Sequence, residues 1–598
     1  MSHVWTPLQN FFVLGEISMN SGFTLRTTVT FPSFKLSADE NQKTGLSLTN
    51  AGSDIRIASG RNDHAAFSLL VSANEAFALQ TDTAPWFSQN VALPTVRVAC
   101  DTSFPFPLTI SHTAMHQIND GTYRADAVLH ETVREIAADT VAQLYCTVHI
   151  PSDTPPGSYS GTLHFFCNRA FDDEFRMEDC DIFFTIQVYA FCFPDNRKNG
   201  FHLDLWQHSS NIARKYEVPL WSNAHFAILE NYIRSLGALG AKSVTIVASE
   251  IPWNGQYCSG MPEGTNLYEY SIIGVTKKKD GTFLYDYTAM QRYIDLCAKY
   301  GIDETISIFG LVGVWNTGNR FHGKIVRDYP DLMRIRYLDE ASGTYRYMKN
   351  GCEVDDYIHS LEQYFVHTNQ IAKVRLSADE PHDLEPFKES LERMHKAAPQ
   401  FRCKTACDQI EFVDAFSALT DDFIYDIIAA SNRCEEMQAA IKAHPDKRFL
   451  HYVCCEPDYP NMFLKSELVE SYFLCIFASY HHFSGFLRWD YTVWNDHPRD
   501  NAIVGTWNAG DSYFVYPSAD GTPLLSLRWY ALRRGIQFFV LMEEVKKRGM
   551  QDVYDHALSL VLREKDPTKL IAHEEKTDSI SCDMADYEAV WEYLLSKL

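Results

Sequence analysis

The chain reads as a multidomain α and β protein: an N-terminal antiparallel β-sandwich, a (β/α)8 TIM barrel and a helical C-terminal extension. Three observations predict this. The chain has 598 residues, about twice the roughly 250–300 at which single cores stop growing. Residues 24–188 are a series of short β-type runs parted by turn signals, whereas the chain after the polar segment PDNRKNG at 194–200 alternates short apolar runs with amphipathic helices. The apolar runs number eight, the count that closes a barrel.

Within residues 1–195 the clearest β runs are 25–31, 66–72, 141–150 and 182–188. The stretch PSDTPPGSYSG at 151–161 sets Pro155, Pro156 and Gly157 between two of them, which is hairpin chemistry. PDNRKNG is the linker. The barrel, residues 196–548, takes its strands from 202–206, 243–248, 305–311, 373–378, 402–406, 423–428, 448–453 and 483–489. One helix starts after Ser222, carries Phe226, Leu229, Ile233 and Leu236 on one face and stops at Gly240. Another starts at Asp286, carries Met290, Ile294 and Cys297 and stops at Gly301. A long helix over 523–547 closes the barrel, and shorter helical stretches form the extension, 549–598. A doubly wound open sheet is the alternative reading of the same pattern.

Hydrophobic residues at 46% and charged residues at 22% fit a soluble globular chain. A net charge of -24 repels phosphate backbones and anionic lipid, which weighs against nucleic-acid or membrane partners. No span approaches the ~18 apolar residues of a membrane helix, and the first residues lack a signal-peptide pattern. The fifteen cysteines are odd in number and share no repeated spacing, so reduced thiols and a cytoplasmic location are expected. Cys403 and Cys407 lie four apart and Cys454 and Cys455 are neighbours, but there is no CxxC or HExxH, so neither a metal nor another cofactor is expected. The oligomeric state is open, a homodimer included.

Barrel sites lie at the C-terminal ends of the strands. Those ends carry Trp206, Gln207 and His208; Glu250, Pro252, Trp253 and Asn254; Trp315 and Asn316; Asp379 and Glu380; Asp408; Tyr452 and Glu456; and Trp489, Asp490, Tyr491, Trp494 and Asn495. A rim of tryptophans, carboxylates and amides suits a sugar, because aromatic faces pack on the apolar face of a pyranose while polar groups bond its hydroxyls. The step Asp379-Glu380-Pro381 matters most. Adjacent carboxylates at the end of an apolar strand are costly to place together. In a regular strand they would point to opposite faces, but Pro381 ends the ladder and lets the backbone turn both toward one pocket. Such a pair has its pKa values pushed apart, one group acid and the other ionised; the residues alone leave the roles interchangeable. An exposed loop pair or a helix N-cap is the bland alternative. No GxxxxGK[ST], GxGxxG or GxSxG pattern competes, and Lys373, a conceivable Schiff-base lysine, opens its strand at the opposite end.

The ordered set HLDLWQHSSNIARKYEVPLWSNAHF at 202–226, PWNGQ at 252–256, TKKKDGTFLYDYTAM at 276–290, SADEP at 377–381, HYVCCEPDYPNMF at 451–463 and GFLRWDYTVWNDHP at 485–498 resembles glycoside hydrolase family 123, the β-N-acetylgalactosaminidases. The resemblance implies a retaining exo-hydrolase of terminal β-linked N-acetylgalactosamine on glycans or glycolipid oligosaccharides. Its nucleophile is the substrate's own 2-acetamido oxygen, giving an oxazolinium intermediate. It also splits the pair: Glu380 as general acid/base, Asp379 orienting and stabilising the acetamido group. Tyr452 is then expected to donate to the acetamido oxygen, Asn254 to contact a hydroxyl, and Trp489 and Trp494 to wall the pocket, with Trp206, His208, Trp253, Trp315 and Tyr491 as further contacts. The chain departs from the family pattern where Asp490 replaces the glycine after the eighth-strand Trp and Arg488 precedes that Trp. A non-catalytic carbohydrate-binding protein, a hexosaminidase of other sugar preference, or a barrel aldolase or metal-dependent hydrolase are the rival readings. The carboxylate pair distinguishes the enzyme from the binder, which has no need of an acid.

Overall fold

The computed structural model describes residues 16–18, 22–38, 54–84, 93–169, 172–252, 268–313, 325–381, 383–505, 507–571 and 578–598. The N-terminal part holds two seven-stranded sheets that share one apolar core. Phe67 and Leu144 come from one sheet and Phe165 and Phe184 from the other, and the Phe67 and Phe184 rings lie 5.2 Å apart. The pairing departs from a purely antiparallel expectation in two places: Ile182–Cys192 runs parallel to Asp54–Arg61, and Phe77–Gln80 parallel to Thr95–Thr102. The Pro-Pro-Gly stretch is not a hairpin. The strands it joins, Ala142–Ile150 and Gly157–Asn168, pair within different sheets, so this stiff turn carries the chain across the core.

Eight parallel strands then form the barrel: β1 (His202–Leu205), β2 (Ser243–Val247), β3 (Thr305–Phe309), β4 (Val374–Asp379), β5 (Arg402–Cys407), β6 (Thr420–Asp426), β7 (Arg448–Tyr452) and β8 (Gly485–Arg488). Their order around the sheet is β1-β8-β7-β6-β5-β4-β3-β2, the cyclic sequence order of a (β/α)8 barrel. Intervening helices are α1 (Ser209–Lys215), α2 (Asn223–Leu239), α3 (Thr288–Lys299), α4 (Gly351–His367), α5 (Leu384–Ala397), α6 (Phe412–Phe416), α7 (Ile427–Asn432), α8 (Cys434–Ala443) and α9 (Leu468–Tyr480). The helix ends follow local chemistry. The Ser222 side chain accepts from His225 N at the start of α2, and Gly240 closes it at φ 98°, a conformation that costs glycine nothing.

The seam between β1 and β2 is closed by a side chain. Only one bridge, Leu203 to Ala241, joins their backbones among the described residues. Above it the Gln207 amide acts as a surrogate peptide: its oxygen accepts from Thr245 N at 2.7 Å, and its nitrogen donates to Ser243 O at 3.2 Å and to Leu205 O. The backbone N–H of Gln207 itself donates to Thr245 Oγ1 at 3.2 Å.

Inside the barrel the layers alternate in polarity. Lys404 lies 2.5 Å from Asp204 and 2.7 Å from Ser307 Oγ, with both charged groups fully buried. Above them Trp206, Val247, Phe309, Ala406, Ile424, Leu450 and Leu487 form an apolar floor that includes the Tyr452 ring.

Two features lay outside the strand-and-helix pattern. Gly274–Lys277, Phe283–Asp286, Arg336–Asp339 and Thr344–Tyr347 build a small sheet in the connections after β2 and β3. It is pinned to the rim by buried Glu250, which meets Arg336 Nε at 2.7 Å and the Tyr347 hydroxyl at 2.5 Å. The segment expected as a linker is likewise held fast: Asn196 donates to Ala238 O at 2.5 Å and Arg197 to Lys299 O at 3.1 Å. After β8 come α10 (Leu527–Lys547), α11 (Gln551–Val561) and α12 (Met584–Lys597). The Arg528 side chain of α10 meets Asp126 of the N-terminal sheets at 2.9 Å, both buried, and Trp591 of α12 donates to Ala58 O at 2.9 Å.

Replacing Gln207 by Leu leaves a buried N–H and two carbonyls without their partner, at about 1–3 kcal/mol for each group stranded. The expected result is a thermal midpoint several degrees lower; an unchanged midpoint would show that the seam does not depend on this amide.

Candidate active site

The parallel register fixes where Asp379 points. Asp379 is aligned with Ala406 of β5, and Ala406 belongs to the apolar floor, so Asp379 faces the barrel interior while Ala378 packs outward. Glu380 would face outward in a continued strand. Instead it adopts φ +44°, the left-handed region, which costs a residue with a Cβ about 1–3 kcal/mol. Pro381 helps, since a residue before proline is kept out of the right-handed helical region. The Glu380 N–H remains on the ladder, donating to Ala406 O at 2.9 Å, while its side chain turns inward. There its Oε1 accepts from the Tyr452 hydroxyl at 2.7 Å. Both carboxylates are half-buried and share the mouth of the barrel above the same floor.

Tyr452 therefore takes a different place from the one expected of it. A phenol has one proton, and here Tyr452 gives it to Glu380 rather than holding it ready for an acetamido oxygen. Burial pushes the Tyr452 hydroxyl well above its usual range, with Glu380 adding to the effect, so it remains a donor at any physiological pH.

A carboxylate that the sequence reading missed completes the group. Asp426 ends β6 and caps α7, accepting from Ile428 N at 2.8 Å and Ala429 N at 3.0 Å. Burial pushes it up to about 6, opposed by those two N–H groups and assisted by the charges of Glu380 and Asp408. It was hidden because the run 423–428 reads as one strand, whereas the strand stops at Asp426 and the next two residues open a helix.

Trp489, the residue after β8, is half-buried. Its ring meets Trp507 edge-on at 4.6 Å, its Nε1 lies 3.4 Å from Asp511 Oδ1, and its carbonyl accepts from His208 Nε2 at 2.9 Å. Beneath it Arg488 lies 2.8 Å from Asp511 and 3.5 Å from Asp490, all three fully buried. The two departures from the family pattern thus compensate one another: the carboxylate at 490 is packed against the guanidinium at 488. Burial still raises the Asp490 and Asp511 carboxyls, partly offset by Arg488.

The remaining expected contacts divide sharply. Trp206 lies in the floor, 2% exposed and 5.0 Å from the Phe309 ring. Trp494 has no exposed surface: it donates to Val515 O at 2.8 Å and packs 5.4 Å from Tyr232 of α2. Tyr491 is also buried, 2.7 Å from Ser235 Oγ of α2. These two side chains fasten the post-β8 loop to the helical shell and offer no face to a sugar; aromatic residues at 489, 491 and 494 of an irregular loop give no period from which to foresee that. Trp253, Asn254 and Trp315 lie outside the described residues. Among the described residues no group of three or more His, Cys, Asp or Glu could hold a metal ion, and no helix is long and apolar enough to cross a membrane.

His208 meets Glu269, which follows β2 in the chain, at 3.7 Å between Nδ1 and Oε1, too long for a hydrogen bond. Burial pushes Glu269 up to about 8, opposed by Ser210, and pushes His208 down to about 4, opposed by the Trp489 carbonyl. Near pH 6 both are neutral, so the contact is not an ion pair. Because the folded chain holds the Glu269 proton to a higher pH than the unfolded chain does, this group contributes a loss of stability as pH rises from about 4.5 to about 8. Glu269→Gln should flatten the fall of the thermal midpoint across that window and raise the midpoint at its alkaline end. Parallel profiles for both proteins would refute this.

Comparison with known proteins agrees with this geometry. The model of the glycoside hydrolase 123 catalytic domain matches residues 206–545, more than half of the chain. No curated protein sequence matches. Among solved structures, a family 123 glycoside hydrolase from Clostridium perfringens, described in terms of glycolipid glycan hydrolysis, is similar over 96% of this chain and 98% of that one, with a TM-score of 0.72 and 17% identity. SrfJ from Salmonella typhimurium aligns over 56% of this chain and 73% of that one, with a TM-score of 0.33 and 9% identity. With eight parallel strands, inward carboxylates at the end of the fourth and a family model spanning the barrel, the chain belongs to glycoside hydrolase family 123.

Proposed function

We propose that this glycoside hydrolase is a retaining, exo-acting β-N-acetylgalactosaminidase that removes terminal β-linked N-acetylgalactosamine from glycans or glycolipid oligosaccharides by a substrate-assisted route. The observation that carries the reading is the left-handed turn at Glu380, which brings a second carboxylate into the mouth beside Asp379 and sets it against Tyr452. A sugar binder gains nothing from that strained residue. An acid/base catalyst does, because Glu380 must face the leaving oxygen while Asp379 stays below.

In this mechanism Glu380 protonates the glycosidic oxygen as the 2-acetamido oxygen attacks the anomeric carbon. Tyr452 stabilises the Glu380 carboxylate left behind. Asp379 holds the acetamido N–H and balances the positive charge of the oxazolinium ring. Glu380 then takes a proton from water as water opens that ring, restoring the starting configuration. The half-buried Trp489 supplies an aromatic wall. Reduced cysteines support a cytoplasmic setting, and the acidic chain favours a neutral glycan.

Nitrophenyl β-glycosides provide the test. The N-acetylgalactosaminide should be cleaved fastest, the N-acetylglucosaminide more slowly and the galactoside not at all. Cleavage of the galactoside at a rate equal to the acetamido sugars would rule out substrate assistance, and binding without cleavage would favour the carbohydrate-binding alternative. Glu380→Gln should lose roughly 10²–10⁴-fold in rate and recover in part with a very acidic leaving group, whereas Asp379→Asn should not recover; equal rescue would overturn the assigned roles. Tyr452→Phe removes a hydrogen bond to a charged acceptor, worth about 1.5–3 kcal/mol, so kcat/KM should fall roughly 10- to 100-fold with the fold intact by circular dichroism.

A further inference from the structure

The sequence pair Cys454-Cys455, unused by the mechanism, lies two and three residues beyond Tyr452 at the same barrel mouth. The two sulfurs are 3.8 Å apart. Cys455 is exposed, so small molecules in solution can reach it. Cys454 is half-buried and packs on the apolar floor that includes Tyr452 and Leu450. Its backbone is held at both ends of the residue: Cys454 N–H donates to Glu456 O at 3.2 Å, and Cys454 O accepts from Asn461 Nδ2 at 3.1 Å.

We propose that Cys454 and Cys455 are a redox-modification site that closes to a vicinal disulfide and thereby lowers hydrolysis; the effect on hydrolysis rests on the function proposed above. The oxidant is a low-molecular-weight disulfide. The Cys455 thiolate attacks one of its sulfurs, forming a mixed disulfide and expelling the first small thiol. Cys454 then loses its proton and attacks the Cys455 sulfur, expelling the second small thiol. The protein loses two hydrogens and the small disulfide gains them.

The order follows from exposure and proton affinity. The neighbouring sulfur and burial hold the Cys454 thiol well above its usual range, so the accessible Cys455 reacts first. The product is strained, because consecutive α-carbons stand only about 3.8 Å apart whereas relaxed disulfides span roughly 4.4–6.8 Å. Strained, exposed disulfides are the readily reduced ones, so the modification reverses when small thiols prevail. Closing the ring must draw the Cys454 side chain off the floor toward Cys455. Tyr452 loses a packing neighbour, and the hydroxyl that orients Glu380 shifts with it.

The 598-residue chain is incubated with oxidised glutathione, digested without reduction and mapped by mass spectrometry, and in parallel assayed on the nitrophenyl N-acetylgalactosaminide. The expected result is a peptide two mass units lighter spanning 454–455, an activity loss of at least several-fold, and recovery of both with dithiothreitol. Cys455→Ser, which leaves the catalytic groups untouched, should keep its basal activity and resist the oxidant. A stable glutathione adduct at Cys455 in place of the internal bond, unchanged activity in the oxidised protein, or equal inactivation of Cys455→Ser would each overturn the proposal. The peptide mass is read without substrate, so failure of the thiol chemistry is distinguishable from failure of the glycosidase reading.

Discussion

The hydrogen bond from Tyr452 to Glu380 is the constraint around which the barrel mouth is organised. It spans from β7 to the turn after β4, strands that are not neighbours in the sheet, and holds a carboxylate in a backbone conformation that a residue with a side chain ordinarily avoids. The Tyr452 ring that makes the bond belongs to the same apolar cluster as Leu450, Ile424 and Ala406. For the turn to persist, the Glu380 N–H must stay paired to Ala406 O. The position of the acid is thus set by the packing of β5, β6 and β7 as much as by its own strand.

Below that floor the barrel is unlike an ordinary hydrophobic core. The Asp204–Lys404 pair and Ser307 sit where branched aliphatic residues would usually be stacked. Removing two charges from water costs more than their attraction returns unless the geometry is good, and here the ammonium meets both the carboxylate and the Ser307 hydroxyl. Only one relative rotation of β1 and β5 brings the ammonium to the carboxylate. The Gln207 amide does the same for the β1–β2 seam. Polar contacts of fixed direction align the strands, and the apolar floor above seals the result from water.

Much of this was legible in the residues. All eight barrel strands fall within a few residues of the apolar runs that marked them, and α2 begins and ends at Ser222 and Gly240 because a cap hydroxyl and a left-handed glycine are local signals. The carboxylate step at 379–380 was legible for a similar reason, since charge at the end of an apolar run stands out. What escaped depended on partners remote in sequence. Nothing near Trp494 distinguishes a residue buried against Tyr232 from one facing a ligand. Nothing near residue 155 tells whether a stiff turn returns within a sheet or crosses to another. Asp426 was masked by hydrophobic neighbours on both sides, because a strand passing directly into a helix leaves no polar gap.

The clasp between α12 and the N-terminal sheets bears on how the protein comes into being. Trp591 stacks on Phe193 at 5.6 Å, lies against the Arg534 guanidinium and bonds to Ala58, so segments more than five hundred positions apart in the chain complete one another's burial. A ribosome delivers Ala58 long before Trp591. Until α12 is made, the surface around Ala58 and Phe193 lacks the indole that covers it in the folded protein.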